Sequence, residues 1–365
     1  MSDEITSKKK LEALDAILKK RCGDRYYAPK GKNKVEPVTW ISSGYYAVDY
    51  VCGKGIPEGK LVQLTGWESV GKSLLAQEIA AKFVSLGKPV YWIEAGEASF
   101  DREFASCIGL DVDSIGFLEA ETAEEAVELI RDMLNSGVVG LIVIDSIAGF
   151  TPEKEIEDDL SQANMALLAR LLSKALKQFK FLMKQKKTTM VVINQIRAKP
   201  GVMYGNPETL SAGNAIKYYT DVLIRMSKTK VIEKGKEALG IITKLKNNKN
   251  RCANPFREKE ITIRFPYEEN GIMKAGIDLI EDLIPEAITQ GIISQKGAYY
   301  SWKGFPEDPK SKLNTIYKKE AVTDFFNLNP QLLDTLREDL LNNTNHDTTS
   351  TQEDPSEEDY EEEAA

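Results

Sequence analysis

One eight-residue segment of the chain has the residue types and spacing of a phosphate-binding loop. Residues 66–73, GWESVGKS, match the pattern GxxxxGK[ST]. Glycines let backbone N–H groups curve around phosphate oxygens, the lysine brings a positive charge to the outer phosphates, and the serine hydroxyl can bind Mg²⁺. The segment therefore predicts an ATP site, in which Lys72 is also a candidate catalytic residue. Its candidate binding residues are Gly66, Trp67, Glu68, Ser69, Val70, Gly71, Lys72 and Ser73.

A carboxylate at the end of an apolar run completes the predicted metal site. Residues 141–145, LIVID, predict a buried strand that ends at Asp145. A carboxylate in that position can hold Mg²⁺ through water, opposite the hydroxyl of Ser73. An apolar strand that ends in Asp is a weak signal by itself, but the phosphate loop strengthens it. We therefore predict Ser73 and Asp145 as the metal-binding residues.

Two glutamates near the end of another predicted strand could orient and activate the attacking water. Glu94 lies within the strand predicted over residues 90–94, whereas Glu97 lies past its end. A carboxylate just beyond a neighbouring strand suits this task, because it can accept the proton of the water. We predict Glu97 as the catalytic residue and keep Glu94 as the alternative. Either could instead be a solvated surface glutamate.

The elements that must position these residues alternate between short apolar runs and helical stretches from about residue 38 to residue 265. We predict strands over residues 60–64, 90–94, 116–119, 140–145 and 188–194. We predict helices over residues 72–86, 102–108, 123–136 and 161–186. This alternation indicates an α/β fold with a mostly parallel central sheet flanked by helices.

Segments at both ends lie outside this predicted core. Residues 1–22 predict an amphipathic helix ended by Gly23, with an apolar stripe of Leu11, Leu14, Ile17 and Leu18. A small mixed α+β module near the C-terminus carries Tyr299, Tyr300, Trp302 and Phe305. We predict an N-terminal helix and linker over residues 1–37, an ATPase core over 38–269, a small C-terminal domain over 270–341 and a disordered acidic tail over 342–365.

The acidic net charge of the chain comes mostly from its end. The chain of 365 residues has a net charge of −8, and residues 342–365 contain nine Asp or Glu and no Lys or Arg. Without those nine acids, residues 1–341 have a net charge of +1. The overall charge therefore does not exclude a DNA-binding protein. The tail is either a solubilising end or a DNA mimic that covers a basic surface.

Composition also limits the class of protein. The four cysteines form no CxxC pair and the one histidine is His346, which argues against a zinc site. No apolar run approaches the roughly 18 residues of a membrane span, and the first ten residues lack the apolar segment of a signal peptide. We therefore expect a cytoplasmic protein that does not bind a membrane.

Six further segments give the chain a specific resemblance to the RecA recombinase family. They are residues 143–148 (VIDSIA), 150–152 (FTP), 155–157 (EIE), 192–197 (VINQIR), 201–209 (GVMYGNPET) and 213–215 (GNA). The resemblance extends over nearly the whole chain. It implies a RecA-like P-loop ATPase core, a helical filament on single-stranded DNA, and homologous pairing and strand exchange with double-stranded DNA in recombination and DNA repair.

The resemblance also implies roles around the nucleotide. Glu97 matches the catalytic carboxylate, with Gly96 as an extra residue before it. Gln195 matches the sensor that can hydrogen-bond the terminal phosphate and report it to the following loop. The residues expected beside adenine are Asp101, Phe104, which replaces a tyrosine, and Tyr267; Phe104 could instead be a core residue and Tyr267 a surface residue.

Cations near Lys246 match residues that reach the ATP of a neighbouring subunit. We predict Lys249 and Arg251, the second replacing a more common lysine, as catalytic residues that neutralise charge on the leaving phosphates. Such residues act only when two subunits meet, so hydrolysis is expected to depend on the filament. Solvated basic side chains are the alternative interpretation.

The resemblance further implies that two loops contact DNA, over residues 157–165 and 197–214. The second is long for a connection in a compact domain and is rich in Gly, Pro and Asn, with Leu210 and Ala212 departing from the usual Thr and Gly. Basic residues would bind phosphates, and apolar or aromatic ones would stack on bases or wedge between them. The predicted DNA-binding residues are Met165, Arg170, Arg197, Lys199, Met203, Tyr204, Gly213 and Asn214.

Other functions on the same core remain alternatives. A ring-forming helicase is disfavoured by the N-terminal helix and by residues 205–209, and the repair ATPase with a zinc finger is disfavoured because CxxC pairs are absent. A DNA-coating or mediator protein with an inert nucleotide site is disfavoured because Lys72, Ser73 and Asp145 are all present. Single-strand-binding and loader proteins are further candidate partners. A bacteriophage source would place the protein in the host cytoplasm.

Overall fold

A computed structural model describes residues 2–26, 37–95, 100–157, 165–198, 208–210, 215–269, 272–307 and 314–347. Contacts between Cα atoms divide the chain into two compact units, Met1–Thr39 and Trp40–Ala365. The helices in these described ranges are too short or too polar to span a bilayer.

The described residues of the first unit form one helix, α1 (Ser2–Tyr26). The apolar side chains of Leu11, Leu14 and Ile17 are exposed on this helix. The prediction that Gly23 ends the helix is wrong, because the helix continues for three residues beyond it. A glycine inside a helix costs about 1 kcal/mol relative to alanine, which weakens a helix without ending it.

The second unit begins with the elements that surround the phosphate loop and the central strands. They are β1 (Trp40–Ile41), α2 (Tyr46–Cys52), β2 (Ile56–Pro57), β3 (Leu61–Gly66), α3 (Lys72–Ser85), β4 (Val90–Glu94), α4 (Arg102–Cys107), β5 (Ile115–Glu119), α5 (Ala123–Ser136), β6 (Leu141–Asp145), α6 (Glu153–Glu157), α7 (Met165–Lys186) and β7 (Thr189–Ala198). Short 3₁₀ helices cover Val112–Ser114 and Ile147–Gly149.

The later elements form a long antiparallel extension of the sheet and a small module of helices with a three-stranded antiparallel sheet, β13-β14-β15. They are β8 (Glu208–Leu210), α8 (Ala215–Tyr219), β9 (Val222–Lys234), β10 (Glu237–Asn250), β11 (Glu258–Glu269), β12 (Ile272–Ile277), α9 (Leu279–Thr289), β13 (Ser294–Lys296), β14 (Tyr299–Ser301), β15 (Thr315–Tyr317), α10 (Lys319–Leu328) and α11 (Gln331–Asp347).

The central sheet has the strand order β12-β11-β10-β9-β3-β7-β6-β4-β5. The pairs from β9 through β3, β7, β6 and β4 to β5 are parallel, while β9 to β12 pair antiparallel. Helix α3 packs with one face of the sheet, and α5 and α7 pack with the other. Helices on both faces explain why the parallel strand β6 is buried along its whole length and apolar up to Asp145. The α/β prediction is confirmed.

Most of the predicted elements are present with ends that differ by one or two residues, but β7 differs more. We predicted that this strand ends at Asn194, whereas it continues to Ala198. Strand β8 pairs with this extension, so that Arg197 lies opposite Thr209. Residues 194–198, NQIRA, contain no apolar run that would extend the predicted strand. Residues 196–198 belong to the strand because they pair with β8. The helix predicted from residue 161 is described from Met165.

The C-terminal elements have an apolar cluster of their own. Trp302, Phe305 and Phe326 are buried in it, and the ring centroids of Trp302 and Phe305 lie 5.5 Å apart. The cluster also includes Tyr46 of α2. Of the aromatic residues singled out in the sequence, Tyr300, Trp302 and Phe305 are buried, while Tyr299 is exposed.

A buried carboxylate fastens these C-terminal elements to α2. Asp282 of α9 accepts hydrogen bonds from the backbone N–H groups of Tyr46 (2.6 Å) and Ala47 (3.0 Å), at the first turn of α2. Burial raises the pKa of Asp282 to about 7. At the other end of the module, α11 continues to Asp347, so the first six residues of the predicted tail are helical, and Asn343 in this turn donates to Gln290 at 3.4 Å.

Candidate active site

The backbone between β3 and α3 curves in the way that the phosphate-loop motif predicts. Gly71, the residue before α3, has φ 87°, and Ser69 has φ 57°. A Cβ atom on Gly66 would lie 2.5 Å from the carbonyl oxygen of Met226, and one on Gly71 would lie 2.4 Å from Cδ1 of Ile263. Gly66 therefore requires glycine because a Cβ atom would clash with backbone, and Gly71 requires it because of its positive φ.

An open pocket of about 290 Å³ lies at this turn. Its lining brings together residues that the chain separates widely: Glu68, Ser69, Gly71, Lys72, Ser73, Leu74, Asp145, Ile193 and Gln195. The ammonium group of Lys72 donates to the carbonyl oxygens of Gly66 (3.1 Å) and Trp67 (2.6 Å). Lys72 lines the pocket and is only 8% exposed, so its charge is largely shielded from bulk water.

The strand order explains why the carboxylate and the amide reach this pocket. Strand β7 lies directly between β3 and β6, and Gln195 is opposite Gly66 in the parallel register. Asp145 is the last residue of β6 and is 4% exposed. Because the carboxyl ends of parallel strands meet at one edge of the sheet, Ser73, Asp145 and Gln195 converge there. The arrangement offers a cation, a hydroxyl, a carboxylate and an amide to one bound group.

Of the two candidate glutamates, Glu94 belongs to the described residues. Glu94 is the last residue of β4, is opposite Asp145 in the register, and is 4% exposed. Its Oε1 accepts a hydrogen bond from the backbone N–H of Phe100 at 3.2 Å. Glu97, the predicted catalytic residue, lies outside the described residues. Glu94 is not among the residues that line the pocket.

The residues expected beside adenine do not line this pocket either. Asp101 is the N-cap of α4, where its carboxylate accepts from the backbone N–H of Phe104 at 3.0 Å. Phe104 is half-buried and packs against the core cluster that contains α3. Tyr267 lies on β11 and is 41% exposed. Of the loop residues, Val70 is buried and Trp67 is exposed, and neither lines the pocket.

The amino-acid sequence of the chain matches a known protein family. The family described as the RecA N-terminal domain matches residues 9–272. The chain belongs to the RecA family. The protein RecA of Bacteroides thetaiotaomicron is 36% identical over 338 residues, which cover 91% of this chain and 97% of the relative. The protein RecA of Porphyromonas gingivalis is 34% identical over 342 residues, which cover 93% and 97%.

Family membership confirms the predicted activity. This RecA-family chain is a DNA-dependent ATPase and a recombinase that forms filaments, binds DNA and catalyses strand exchange in recombination and DNA repair. The ATPase activity implies a nucleotide and a divalent metal ion.

The two cations predicted to reach a neighbouring subunit lie away from the pocket lining of their own subunit. The ammonium group of Lys249 donates to the carbonyl oxygens of Lys217 (2.6 Å) and Tyr218 (3.2 Å) at the end of α8. Partial burial, and then the charge of Arg251, lowers the pKa of Lys249 below its usual value. Arg251 is exposed, and its backbone N–H donates to the carbonyl oxygen of Asp221 at 2.9 Å.

Few of the predicted DNA-binding residues can be placed. Arg170 is exposed on α7, and Arg197 is exposed at the end of β7. Met165 is the first residue of α7. The other predicted residues lie outside the described part of the chain: Lys199, Met203, Tyr204, Gly213 and Asn214.

Sequence reasoning missed two residues of the pocket, Leu74 and Ile193. Ile193 lies two residues before Gln195 on β7, so both side chains lie on the same face of the strand. This period of two was a usable signal. Leu74 follows Ser73 in the first turn of α3, where no comparable pattern distinguishes it.

Proposed function

We propose that this RecA-family protein binds ATP with Mg²⁺ at the pocket between β3, β6 and β7. The observation that carries the proposal is the convergence of Lys72, Ser73, Asp145 and Gln195 on one cavity. Backbone N–H groups of residues 66–73 and the N-terminus of α3 bind the phosphates, and Lys72 neutralises their outer charge. The carboxamide of Gln195 hydrogen-bonds the terminal phosphate and thereby senses ATP.

The residues at this pocket fit a magnesium ion. Ser73 supplies a hydroxyl oxygen and Asp145 a carboxylate oxygen, and Mg²⁺ prefers oxygen ligands together with substrate phosphates and water. Ser73 would bind the ion directly, and Asp145 would hold it through water. When bound, the ion would offset negative charge on the phosphate oxygens.

The attacking water is oriented by Glu97, just beyond β4, with Glu94 as the alternative. The burial of Glu94 and its hydrogen bond from Phe100 are typical of a structural carboxylate, which favours Glu97. Asp101, Phe104 and Tyr267 bind the adenine. These three residues do not line the phosphate pocket, so the adenine base of bound ATP must extend beyond that pocket to reach them.

Hydrolysis depends on the filament because each ATP lies between two subunits. Lys249 and Arg251 reach the ATP of the neighbouring subunit and stabilise negative charge on the leaving phosphates. The exposed apolar side chains Leu11, Leu14 and Ile17 of α1 support a contact with a neighbouring subunit. We divide the chain accordingly into four parts: a polymerisation helix and linker (1–37), an ATPase core (38–269), a small C-terminal domain (270–341) and an acidic tail (342–365).

Single-stranded DNA binds along the loops over residues 157–165 and 197–214. Arg170 is exposed on α7, five residues beyond the first loop, and Arg197 is exposed at the start of the second, so both can contact phosphates. Lys199 adds a cation, Met165, Met203 and Tyr204 stack on bases or separate them, and Gly213 and Asn214 form the end of the second loop. The bound strand pairs with double-stranded DNA, so that base pairing recognises the sequence. We place the protein in the cytoplasm, where single-strand-binding and loader proteins are further partners.

ATP hydrolysis by the wild-type protein is expected to be slow alone and to increase with single-stranded DNA. The physical reason is that DNA assembles the filament, which brings Lys249 and Arg251 to a neighbouring ATP. Release of phosphate should be measured without DNA, with an unstructured oligonucleotide and with duplex. Strand exchange with homologous and heterologous duplexes provides the second measurement. A rate that ignores DNA, or exchange that ignores homology, contradicts the proposal.

Removal of the acidic tail after α11 is expected to strengthen duplex binding. A deletion of residues 348–365 removes most of the tail's negative charge and leaves α11 whole. If the tail covers a basic surface, the gain in affinity should shrink as salt increases, because salt screens the attraction. Fluorescence anisotropy of a labelled duplex over a salt series measures both effects. An affinity that the deletion leaves unchanged at every salt concentration excludes the DNA-mimic role.

A further inference from the structure

Asn194 is a fully buried amide whose polar atoms both lack partners. Its side chain is 0% exposed, and neither Oδ1 nor Nδ2 has a hydrogen-bond partner within the described structure. Leaving a buried polar group unpaired costs free energy, whereas an apolar group of the same shape would fill the space without that cost. Within the described residues, the amide of Asn194 therefore adds no hydrogen bond that would stabilise the conformation seen here.

The location of Asn194 suggests what the amide does instead. Val191 and Ile193 of β7 belong to the cluster on the α3 side of the sheet, whereas Met190 and Val192 belong to the cluster on the α7 side. The period of two places Gln195 on the α3 side, where it lines the nucleotide pocket, and Asn194 on the opposite side.

Asn194 lies near Ser146 with its following 3₁₀ helix and near the β7–β8 strand pair. The side that carries Asn194 packs against the 3₁₀ helix Ile147–Gly149, which follows directly on Ser146. Ser146 is 1% exposed, and its hydroxyl oxygen also has no partner among the described residues. Two residues beyond Asn194, the strand pairs with β8 from Ile196 onward. Asn194 thus lies between the residue proposed to sense ATP and the strand pair that leads to the proposed DNA loop.

We propose that Asn194 is a positioning residue that couples occupancy of the nucleotide pocket to the β7–β8 pair. When ATP draws Gln195, the adjacent Asn194 shifts with the same backbone and its carboxamide gains hydrogen bonds on the α7 side. The end of β7 then has two arrangements, one with the amide of Asn194 unpaired and one with it hydrogen-bonded. ATP favours the second, because pairing these polar atoms stabilises it. The inference rests on the proposed sensing role of Gln195.

The Asn194→Leu variant tests this role, since leucine is close in shape and cannot form hydrogen bonds. We expect an unchanged or higher midpoint of thermal unfolding and a rate of hydrolysis without DNA like that of the wild type. We expect the stimulation by single-stranded DNA to fall by about fivefold or more, the lower range of measured coupling between sites. The affinity for a fluorescent oligo(dT) should also lose its dependence on ATP. These two ratios would not respond to a purely structural role.

Two further variants make each outcome decisive. Gln63→Met removes another fully buried amide from the adjacent strand β3, one that accepts from Thr220 at 2.9 Å, and should retain the DNA stimulation. Asn194→Thr keeps a hydroxyl that donates and accepts, suits a strand, and should retain part of the stimulation.

The inference is overturned if Asn194→Leu keeps the wild-type stimulation, or if it lowers hydrolysis equally with and without DNA. Should the leucine variant not fold, wild-type stimulation in Asn194→Thr overturns it instead. Loss of stimulation in the Gln63→Met variant as well would assign the effect to sheet packing. If single-stranded DNA does not stimulate hydrolysis by the wild-type protein, the proposed function itself is contradicted. In that case none of the variants would show DNA stimulation either.

Discussion

The Lys72→Ala variant is expected to lose ATP hydrolysis, with turnover lower by about a hundredfold or more, the usual result of removing a group that stabilises developing charge. Lys72 lines the pocket and is 8% exposed, so its charge is poorly screened by water. Alanine also removes the hydrogen bonds to the carbonyl oxygens of Gly66 and Trp67, so the loop loses an internal contact. Phosphate release with saturating single-stranded DNA measures the effect.

A matched control separates this loss from general damage to α3. Lys82 lies on the same helix, is half-buried and occupies the last turn. The Lys82→Ala variant should hydrolyse ATP nearly as fast as the wild type, because it removes a charge of the same kind at the far end of the helix. Hydrolysis by Lys72→Ala at even a tenth of the wild-type rate would show that the proposed pocket is not the catalytic one.

The Glu97→Gln variant is expected to bind ATP normally and to turn it over about 10²- to 10⁴-fold more slowly. This range is typical for the loss of a general base, since glutamine retains the shape but cannot accept the proton. Nucleotide affinity should be measured by equilibrium titration and turnover by phosphate release. Unchanged affinity with reduced turnover would separate an effect on the reaction from an effect on binding.

The Glu94→Gln variant is the matched comparison and decides between the two glutamates. Its side-chain carbonyl can still accept the hydrogen bond from the backbone N–H of Phe100, so the local structure should persist. We expect a small effect on turnover. A larger loss in Glu94→Gln than in Glu97→Gln would transfer the role to Glu94 and make Gly96 part of the explanation.

The local sequence predicted the parts of the fold that local forces decide. Residues 66–73 predicted the turn between a strand and a helix because Gly66 and Gly71 are needed where they stand. The apolar run over residues 141–145 predicted β6, since a strand buried on both faces leaves a continuous apolar signal. The family resemblance rested on similarly contiguous segments and was confirmed by the match over residues 9–272.

Where the chain depends on distant partners, the same reasoning failed or was incomplete. The end of β7 was placed four residues early because β8, not an apolar pattern, holds residues 196–198 in the sheet. The end of helix α1 was predicted too early for a different, local reason. The preference of Gly23 for non-helical conformations is too weak to stop the helix from propagating through it. The carboxylate of Asp282 caps α2 from 236 residues away in the sequence, and no local sequence pattern predicts this contact.

The amino-acid sequence by itself determined the kind of protein this is, an α/β ATPase of the RecA family with a phosphate loop at residues 66–73. Only the tertiary structure decided which residues meet, because strand order is set by contacts between segments that have similar local patterns. The insertion of β7 between β3 and β6 brings Ser73, Asp145 and Gln195 to one pocket. It also leaves the amide of Asn194 unpaired on the opposite side of the sheet.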